Sequence, residues 1–311
     1  MCIRDRVYTI TLAPAIDYIQ RVKTLKKGSF NRGYSDSMEP GGKGINVSII
    51  LKRLGVESIA LGFIGGFVGE YIIDSLNGEH IENNFVRVPG SSRINFKILC
   101  DEDKSETQVN GIGPILTSDK IEEFKYTLED IKEGDTVVMD GLVPPGFEES
   151  TYKEILAYLS EKNIDLIIDT SGQALLDCLK YHPFLIKPNV RELSAIIGKP
   201  MDNEKQILEG IEILKGKGAN NVIVSRGKDG VIMVDSNGKV YKKKTLSEKA
   251  ISTFGAGDAL VAGFICGWKL YNDFDKALDI AIACGTSKAL NGHHPTKDEV
   301  IHYLELLHAK V

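Results

Sequence analysis

Three small residues followed by an acid give residues 252–264 the composition of an anion site. Gly255, Ala256 and Gly257 directly precede Asp258, and an apolar helical pattern begins there. Small residues let several backbone N–H groups turn toward one point, and a helix N-terminus adds about half a positive charge. A bound anion would lie beside a carboxylate able to accept the proton of an attacking hydroxyl, as phosphoryl transfer requires. A simple glycine-rich turn with aspartate near a helix start explains this stretch equally well.

A second glycine-rich segment, residues 41–46 (GGKGIN), also lies at the start of a helical pattern. It can present backbone N–H groups with the cation of Lys43 beside them, which suits a phosphorylated or polyhydroxyl ligand. The segment is not a dinucleotide-binding fingerprint, because Val47 occupies the third small position. The chain contains no GxxxxGK[ST] phosphate loop. Taken alone, the glycines could simply mark a turn.

Residues 187–192 (KPNVRE) follow an apolar strand and have two interpretations. Asn189 and Glu192 have the spacing of a capping box, a structural role. The same amide and carboxylate could lie beside a metal–phosphate complex. Mg²⁺ keeps several waters and is often held through one or two carboxylates, so Glu192 alone is sufficient. Both interpretations can hold together, and we favour the functional one.

Three weaker signals have ordinary explanations. The glycines of residues 225–230 (SRGKDG) fit a hairpin between two strands. Arg93, Asn95 and Lys97 alternate on one strand and could converge on a phosphate, or form a solvated polar face. The pair at 293–294 (HH) precedes a proline and lacks neighbouring metal ligands in sequence, so we interpret it as a surface loop.

Composition excludes several classes of protein. The 311 residues are 42% apolar with a net charge of −5, which is typical of a globular chain without general attraction to nucleic acid or anionic membranes. No apolar run approaches the length of a membrane helix. Five cysteines, an odd number without a CxxC pair, favour reduced thiols and a cytoplasmic location. Residues 1–6 (MCIRDR) are too short and charged for a signal peptide and are predicted to be a non-native leader.

Apolar strands and helical patterns alternate along most of the chain. After a first strand at 7–12, residues 45–54 predict a helix and 58–64 a strand. From 115 onward the pattern predicts helices at 117–130, 148–162, 173–180, 190–197 and 204–217, and strands at 136–139, 165–168, 183–186 and 221–224. Such repeats predict a mostly parallel sheet covered by helices on both faces. Ligands bind outside the carboxyl ends of these strands, where we expect Asp140, Asp169, Lys187 and Ser225 to share one rim.

Two segments break this rhythm. Residues 33–39 and 93–99 alternate polar and apolar side chains with a period of two, which predicts half-exposed strands. We place them in a small separate sheet that forms a lid over the rim. The chain from 7 to 311 is therefore predicted to be a single domain, with lid strands drawn from about 14–40 and 90–112.

Together and in this order, these segments resemble the ribokinase-like (PfkB) family of sugar kinases, over nearly the whole chain. Within the family they are most similar to the branch of 1-phosphofructokinase and tagatose-6-phosphate kinase, and more to the former. The matching motifs are 11–17 (TLAPAID), 41–46 (GGKGIN), 65–70 (GGFVGE), 93–97 (RINFK), 110–114 (NGIGP), 187–189 (KPN) and 255–258 (GAGD).

This resemblance implies a three-layer α/β sandwich with a β-sheet lid, and ATP- and Mg²⁺-dependent phosphorylation of a sugar phosphate, with fructose 1-phosphate preferred over tagatose 6-phosphate. Asp258 would be the base, and Gly255, Ala256 and Gly257 would form the anion hole. The sugar phosphate would contact Asp17, Gly42, Lys43, Asn46, Arg93, Lys97 and Asn110. ATP would contact Lys187, Asn189, Glu192, Ser225, Gly227 and Gly230, with Glu192 holding Mg²⁺ through water. Lids of this family commonly pair, which implies a homodimer.

The chain departs from the family pattern at three positions. Ala13 stands where asparagine is usual, and Phe254 replaces a valine before the glycine turn. Asp140 opens the segment 140–144 (DGLVP), where the family reads close to SGSLP, and an added carboxylate there could repel phosphates. A sugar-phosphate sensor without turnover is therefore an alternative on the same fold. A nicotinamide oxidoreductase lacks its glycine fingerprint and is set aside.

Overall fold

The computed structural model describes residues 5–246 and 250–309. Residues 1–4 of the predicted leader and residues 310–311 lie outside the described residues. The described chain forms strands β1 (Val7–Thr11), β2 (Ala15–Val22), β3 (Gly33–Gly41), β4 (Ile59–Ile64), β5 (Glu82–Arg87), β6 (Arg93–Cys100), β7 (Glu106–Val109), β8 (Thr136–Asp140), β9 (Asp165–Asp169), β10 (Leu185–Ile186), β11 (Asn221–Ser225), β12 (Val231–Val234) and β13 (Val240–Lys243).

Between the strands lie helices that agree within a few residues with those predicted. They are α1 (Lys43–Arg53), α2 (Gly66–Gly78), α3 (Ser118–Thr127), α4 (Glu149–Ser160), α5 (Gly172–Cys178), α6 (Val190–Ile197), α7 (Glu204–Gly216), α8 (Ala256–Tyr271), α9 (Phe274–Asn291) and α10 (Lys297–His308). The prediction did not include α2, α9, α10, β5 or β13, although Val68, Ile72 and Leu76 recur at helical spacing and are fully buried in α2. No helix in the described residues is long and apolar enough to cross a membrane.

The large sheet has the strand order β13-β12-β11-β10-β9-β8-β1-β4-β5. Its strands from β11 to β5 run parallel, and β12 and β13 are antiparallel at one edge. Alternate strand residues point to opposite faces: Tyr8 and Ile10 pack into a core with α3 to α7, and Val7 packs with α1, α8, α9 and α10. The predicted three-layer α/β fold with a mostly parallel sheet is confirmed.

The small sheet has the order β3-β2-β6-β7, with β2 and β6 parallel. In an ordinary surface sheet the polar side chains face solvent, whereas on β6 they face the protein interior. Arg93, Asn95 and Lys97 on β6 point inward and are buried, and Phe96 between them is exposed. The alternative of a solvated polar face is therefore wrong for these three residues, because the face that they share covers the rim of the large sheet.

Candidate active site

The glycine turn before Asp258 has the geometry of a helix start. Gly255 takes a left-handed conformation, with φ of 72°, as the residue before α8. Asp258 lies in the first turn of α8 and is 7% exposed. The side-chain amide of Asn46 on α1 donates to its Oδ2 at 2.7 Å. The structure thus brings together two predicted residues from distant motifs.

Asp258 has the electrostatics of a base. Burial, followed by the charge of Asp169, raises the pKa of Asp258 to about 6, and the hydrogen bond from Asn46 partly opposes this shift. A carboxylate with a pKa nearer neutrality is a better proton acceptor than an exposed aspartate and is still mostly ionised at pH 7.

Two lysines meet at Asp169, the last residue of β9. Lys43 Nζ donates to the Asp169 carbonyl at 2.8 Å and to Oδ1 at 3.2 Å, and Lys187 Nζ lies 3.7 Å from the same Oδ1. Burial works to raise the pKa of Asp169, but Lys187 and Lys43 outweigh it and hold that pKa below its usual value. Asp169 therefore positions both predicted cations. The sequence placed Asp169 on the rim without giving it this function.

Two lysine side chains lie close to the glycines of the turn. A Cβ atom added to Gly257 would lie 3.0 Å from Lys187 Nζ, and one added to Gly255 would lie 3.1 Å from Lys288 Cε. Gly42, the residue before α1, has φ of 127°, and a Cβ there would lie 2.5 Å from Thr11 Cγ2. Backbone conformation favours glycine at positions 42 and 255, and a Cβ at position 257 would displace the end of the Lys187 side chain.

Asp17 lies within β2 and holds two of the residues predicted on the lid. Asn95 Nδ2 donates to its Oδ1 at 2.8 Å, and Lys97 Nζ donates to its Oδ2 at 2.7 Å. The same ammonium group lies 3.1 Å from the centroid of the Phe254 ring. Phe254 is thereby explained, since it joins the glycine turn to the lid through a cation–π contact. In this structure the charge of Lys97 is paired, and its predicted contact with a phosphate stays a prediction.

Arg93 lines a different cleft, of about 570 Å³, together with Ala13 and Asn110. Its Nε donates to the Ala13 carbonyl at 2.9 Å. Burial lowers the pKa of Arg93, and the charge of Asp140 works against that shift. Arg93 and Lys97 share one face of β6 but line separate cavities.

Asp140 ends β8 on the rim, beside Asp169 in the strand register. Its carboxyl group is buried, and Oδ1 has no hydrogen-bond partner among the described residues. Burial raises the pKa of Asp140 to about 7, partly opposed by Lys43. The departure from the family pattern thus places a carboxyl group that is only partly ionised near neutral pH beside the candidate site.

The residues predicted to contact ATP lie along the neighbouring strand ends. Asn189 and Glu192 form the predicted capping box of α6, with reciprocal bonds of 2.9 Å. Ser225, at the end of β11, donates its N–H to Pro188 O at 3.1 Å. Gly227 and Gly230 lie in the turn that leads into β12 and both have positive φ. The structural interpretation of 187–192 is confirmed, and the metal interpretation stays a prediction.

Sequence reasoning missed Lys288 and His294. Both line a cavity of about 180 Å³ between the lid and the glycine turn, together with Asp17, Asn46 and Lys97. Burial, followed by the charges of Lys288 and Arg53, lowers the pKa of His294 to about 3, and its Nδ1 is buried without a hydrogen-bond partner in the described structure. The interpretation of 293–294 as a surface loop holds for the exposed His293, whereas His294 in the same loop is half-buried, with its Nδ1 turned away from solvent. No sequence motif marks either residue.

Comparison with known proteins identifies the family of this chain. Residues 6–292 match the model of the pfkB family carbohydrate kinases. The chain belongs to this family. It is 37% identical to the 1-phosphofructokinase of Bacillus subtilis, over 94% of this chain and 96% of that protein. It is 36% identical to the D-tagatose-1-phosphate kinase of Bacillus licheniformis, over 92% and 93%. The structure of phosphofructokinase-2 from Escherichia coli with substrates and products has a TM-score of 0.92 at 25% identity, over 97% and 99%.

Family membership confirms the predicted reaction class, phosphoryl transfer to a carbohydrate hydroxyl group. Kinases of this family use ATP with a divalent metal ion. Among the described residues, no three histidine, cysteine or acidic side chains form a group that could hold a metal ion. A metal that is bound mainly through water and nucleotide phosphates fits this arrangement, because such a metal needs only one or two protein carboxylates.

Proposed function

We propose that this protein transfers a phosphoryl group from ATP to fructose 1-phosphate, forming fructose 1,6-bisphosphate. The observation that carries the proposal is the buried Asp258 carboxylate, held by Asn46 at the glycine turn in a chain of the carbohydrate kinase family. The 1-phosphofructokinase relative, which covers nearly the whole chain, supports the choice of substrate.

In the proposed reaction, Asp258 accepts the proton of the sugar C6 hydroxyl while that oxygen attacks the γ-phosphorus of ATP. The bond from this phosphorus to the β,γ-bridging oxygen breaks, and ADP leaves with that electron pair. Backbone N–H groups of Gly255, Ala256 and Gly257 stabilise the charge on the transferred group. Asp17 and Asn46, with Gly42 and Lys43, hold the sugar from the lid and from α1.

The phosphate that the sugar already carries is assigned to the cleft of Arg93 and Asn110. The Nε–H group of Arg93 donates a hydrogen bond to the Ala13 carbonyl, and the other N–H groups of the guanidinium group can donate to a phosphate. Lys97 becomes a ligand of this phosphate only if its ammonium leaves Asp17.

ATP is assigned to the other side of the glycine turn. Lys187, Asn189, Ser225, Gly227 and Gly230 would contact the nucleotide, and Glu192 would hold Mg²⁺ through water. One carboxylate oxygen of Glu192 accepts from the backbone of Asn189, which leaves the other for a metal-bound water. When bound, Mg²⁺ neutralises charge on the phosphates of ATP.

Tagatose phosphates are the second candidate substrates, favoured by the D-tagatose-1-phosphate kinase relative at 36% identity. The test is kcat/KM with ATP and Mg²⁺ for fructose 1-phosphate, tagatose 1-phosphate, tagatose 6-phosphate and fructose 6-phosphate. We expect fructose 1-phosphate to have the highest value. A higher value for either tagatose phosphate would replace the proposed substrate, and no turnover of any of them would refute the proposed activity.

A sensor without turnover is a further alternative, kept because of the buried carboxyl group of Asp140. Asp258→Asn distinguishes the two functions, and Asp74→Asn, at an exposed acid on α2, is the matched control. For an enzyme, Asp258→Asn lowers kcat by about 10²–10⁴-fold and leaves sugar-phosphate affinity nearly unchanged. A sensor would bind both ligands without transfer in the unmutated protein.

A homodimer through the lid is proposed from the outer face of the small sheet. Met38, Tyr18, Phe96 and Val109 stand directly opposite one another across its four strands. The row is apolar, and Met38, Phe96 and Val109 are exposed. Exposure of this much apolar surface to water is unfavourable in an isolated protein. Sedimentation should give a dimer for the unmutated protein and a monomer for Phe96→Asp. A monomeric unmutated protein at micromolar concentration would refute this interface.

The single domain from 7 to 311 and the cytoplasmic location remain proposals. Cys100, Cys178, Cys266 and Cys284 are buried free thiols, which supports a reducing compartment.

A further inference from the structure

Lys288 is a buried cation that has no acidic ion-pair partner in the described part of the chain. It lies on α9, is 5% exposed, and its Nζ donates to the Gly292 carbonyl at 3.1 Å. The two other lysines that are buried in the described structure each face a carboxylate, Lys97 at Asp17 and Lys187 at Asp169. Within the described residues no carboxylate lies within ion-pair distance of Lys288. Burial lowers its pKa, which reflects the cost of a desolvated ammonium group.

Lys288 lies beside the glycine turn. Its Cε lies 3.1 Å from the place of a Cβ on Gly255, and Lys187 Nζ lies 3.0 Å from the place of a Cβ on Gly257. The two lysines therefore flank the turn. Lys187 is on the side assigned to ATP, and Lys288 lines the cavity that contains Asp17 and Asn46 on the sugar side.

The cavity beside Lys288 contains an ammonium group without an ion-pair partner in the described structure and an unused polar group. Lys97 is neutralised by Asp17, and Glu39 lines the cavity outside ion-pair distance of Lys288. Nδ1 of His294 faces no partner among the described residues. An anionic oxygen entering next to the turn would give the Lys288 ammonium group an ion-pair partner and would offer a hydrogen-bond acceptor to Nδ1 of His294.

We propose that Lys288 is a further catalytic residue, whose ammonium group binds an oxygen of the phosphoryl group as that group passes from ATP to the sugar. This inference rests on the proposed function. Lys187 neutralises the group from the nucleotide side and Lys288 from the sugar side. Negative charge moves from the sugar oxygen toward ADP during transfer, and two cations accommodate it better than one.

The test is Lys288→Met, which keeps most of the side-chain volume and removes the charge. Lys205→Met is the control, because its side chain is 87% exposed and lies on α7. We expect Lys288→Met to lower kcat by about 10²-fold, the loss typical of one such donor, with both KM values within about threefold of the original. We also expect the variant to lose tight binding of ADP with aluminium fluoride and fructose 1-phosphate, and to retain binding of ADP alone.

Each other outcome has one meaning. An unchanged kcat, or a rise in the sugar-phosphate KM alone, overturns the inference and leaves the proposed function intact. Absence of turnover in the unmutated protein refutes the proposed function, and the inference with it. If Lys288→Met does not fold, Lys288→Arg decides: this variant keeps the charge and should retain at least about a tenth of kcat. A folded Lys288→Arg variant with a 10²-fold loss would overturn the inference.

Discussion

The pH dependence of the reaction should reveal the raised pKa of Asp258. Burial and Asp169 move this pKa from 3.8 to about 6. The base must be ionised, so activity is present above the pKa and is lost as the pH falls through it. At pH 7 about nine-tenths of Asp258 is ionised, and at pH 5 about one-tenth, so kcat/KM should fall about tenfold between them. An aspartate with a pKa of 3.8 would stay mostly ionised at pH 5.

The assay is kcat/KM for fructose 1-phosphate between pH 4.5 and 8, since this ratio reports the free enzyme. The substrate phosphate also titrates near pH 6, so the enzyme group must be separated from it. Asn46→Ala does so, because loss of the hydrogen bond raises the pKa of Asp258 and leaves that of the substrate unchanged. The midpoint should move to higher pH even though the rate itself falls. A midpoint below pH 5, or one that does not move in Asn46→Ala, would show that the ionisation of Asp258 does not control kcat/KM.

Three further predictions concern neighbouring groups. Lys97→Met should destabilise the fold by roughly 3–5 kcal/mol, because it leaves Asp17 buried without its ion-pair partner, and adding Asp17→Asn should restore part of the stability. Equal melting temperatures for the unmutated protein, Lys97→Met and the double variant would contradict this. Gly257→Ala should lower kcat by about tenfold or more by displacing Lys187, whereas Gly216→Ala, with no atom within 4 Å of the added Cβ, should leave kcat unchanged. Equal effects of the two substitutions on kcat would show that contact between residue 257 and Lys187 does not affect the reaction. Asp140→Asn should lower the sugar-phosphate KM by about threefold to tenfold at pH 8, where the carboxyl group is charged, and much less at pH 6; equal effects at both pH values would show that this charge does not reach the substrate.

The layered fold was predictable because its signals are local. Apolar runs such as 165–168 and 221–224 between helical patterns define parallel strands, and the carboxyl ends of those strands then share a rim. The capping box of Asn189 and Glu192 was predictable for the same reason, since its two partners are one helical turn apart. The glycine turn marked Asp258 as a candidate base but fitted a simple turn equally well, and the resemblance to the carbohydrate kinases favoured the base.

The pairings inside the site were not predictable, because they join residues that are distant in sequence. Lys97 and Asp17 are 80 residues apart, and their ion pair depends on β2 and β6 lying side by side. The alternation of β6 indicated which residues share a face and left open whether that face is solvated. Lys288 reaches the turn only because α9 packs beside α8, and no pattern around position 288 indicates a ligand.

In the proposed reaction, Asp258 removes a proton from the C6 hydroxyl of fructose 1-phosphate while ATP donates its γ-phosphoryl group to that oxygen. The most direct measurement is the ³¹P NMR spectrum of fructose 1-phosphate incubated with ATP, Mg²⁺ and either the unmutated protein or Asp258→Asn. We expect ADP and a new phosphate monoester on C6 with the unmutated protein, formed about 10²–10⁴-fold more slowly with the variant. A product formed at equal rates by both proteins, or no C6 monoester with the unmutated protein, would contradict it.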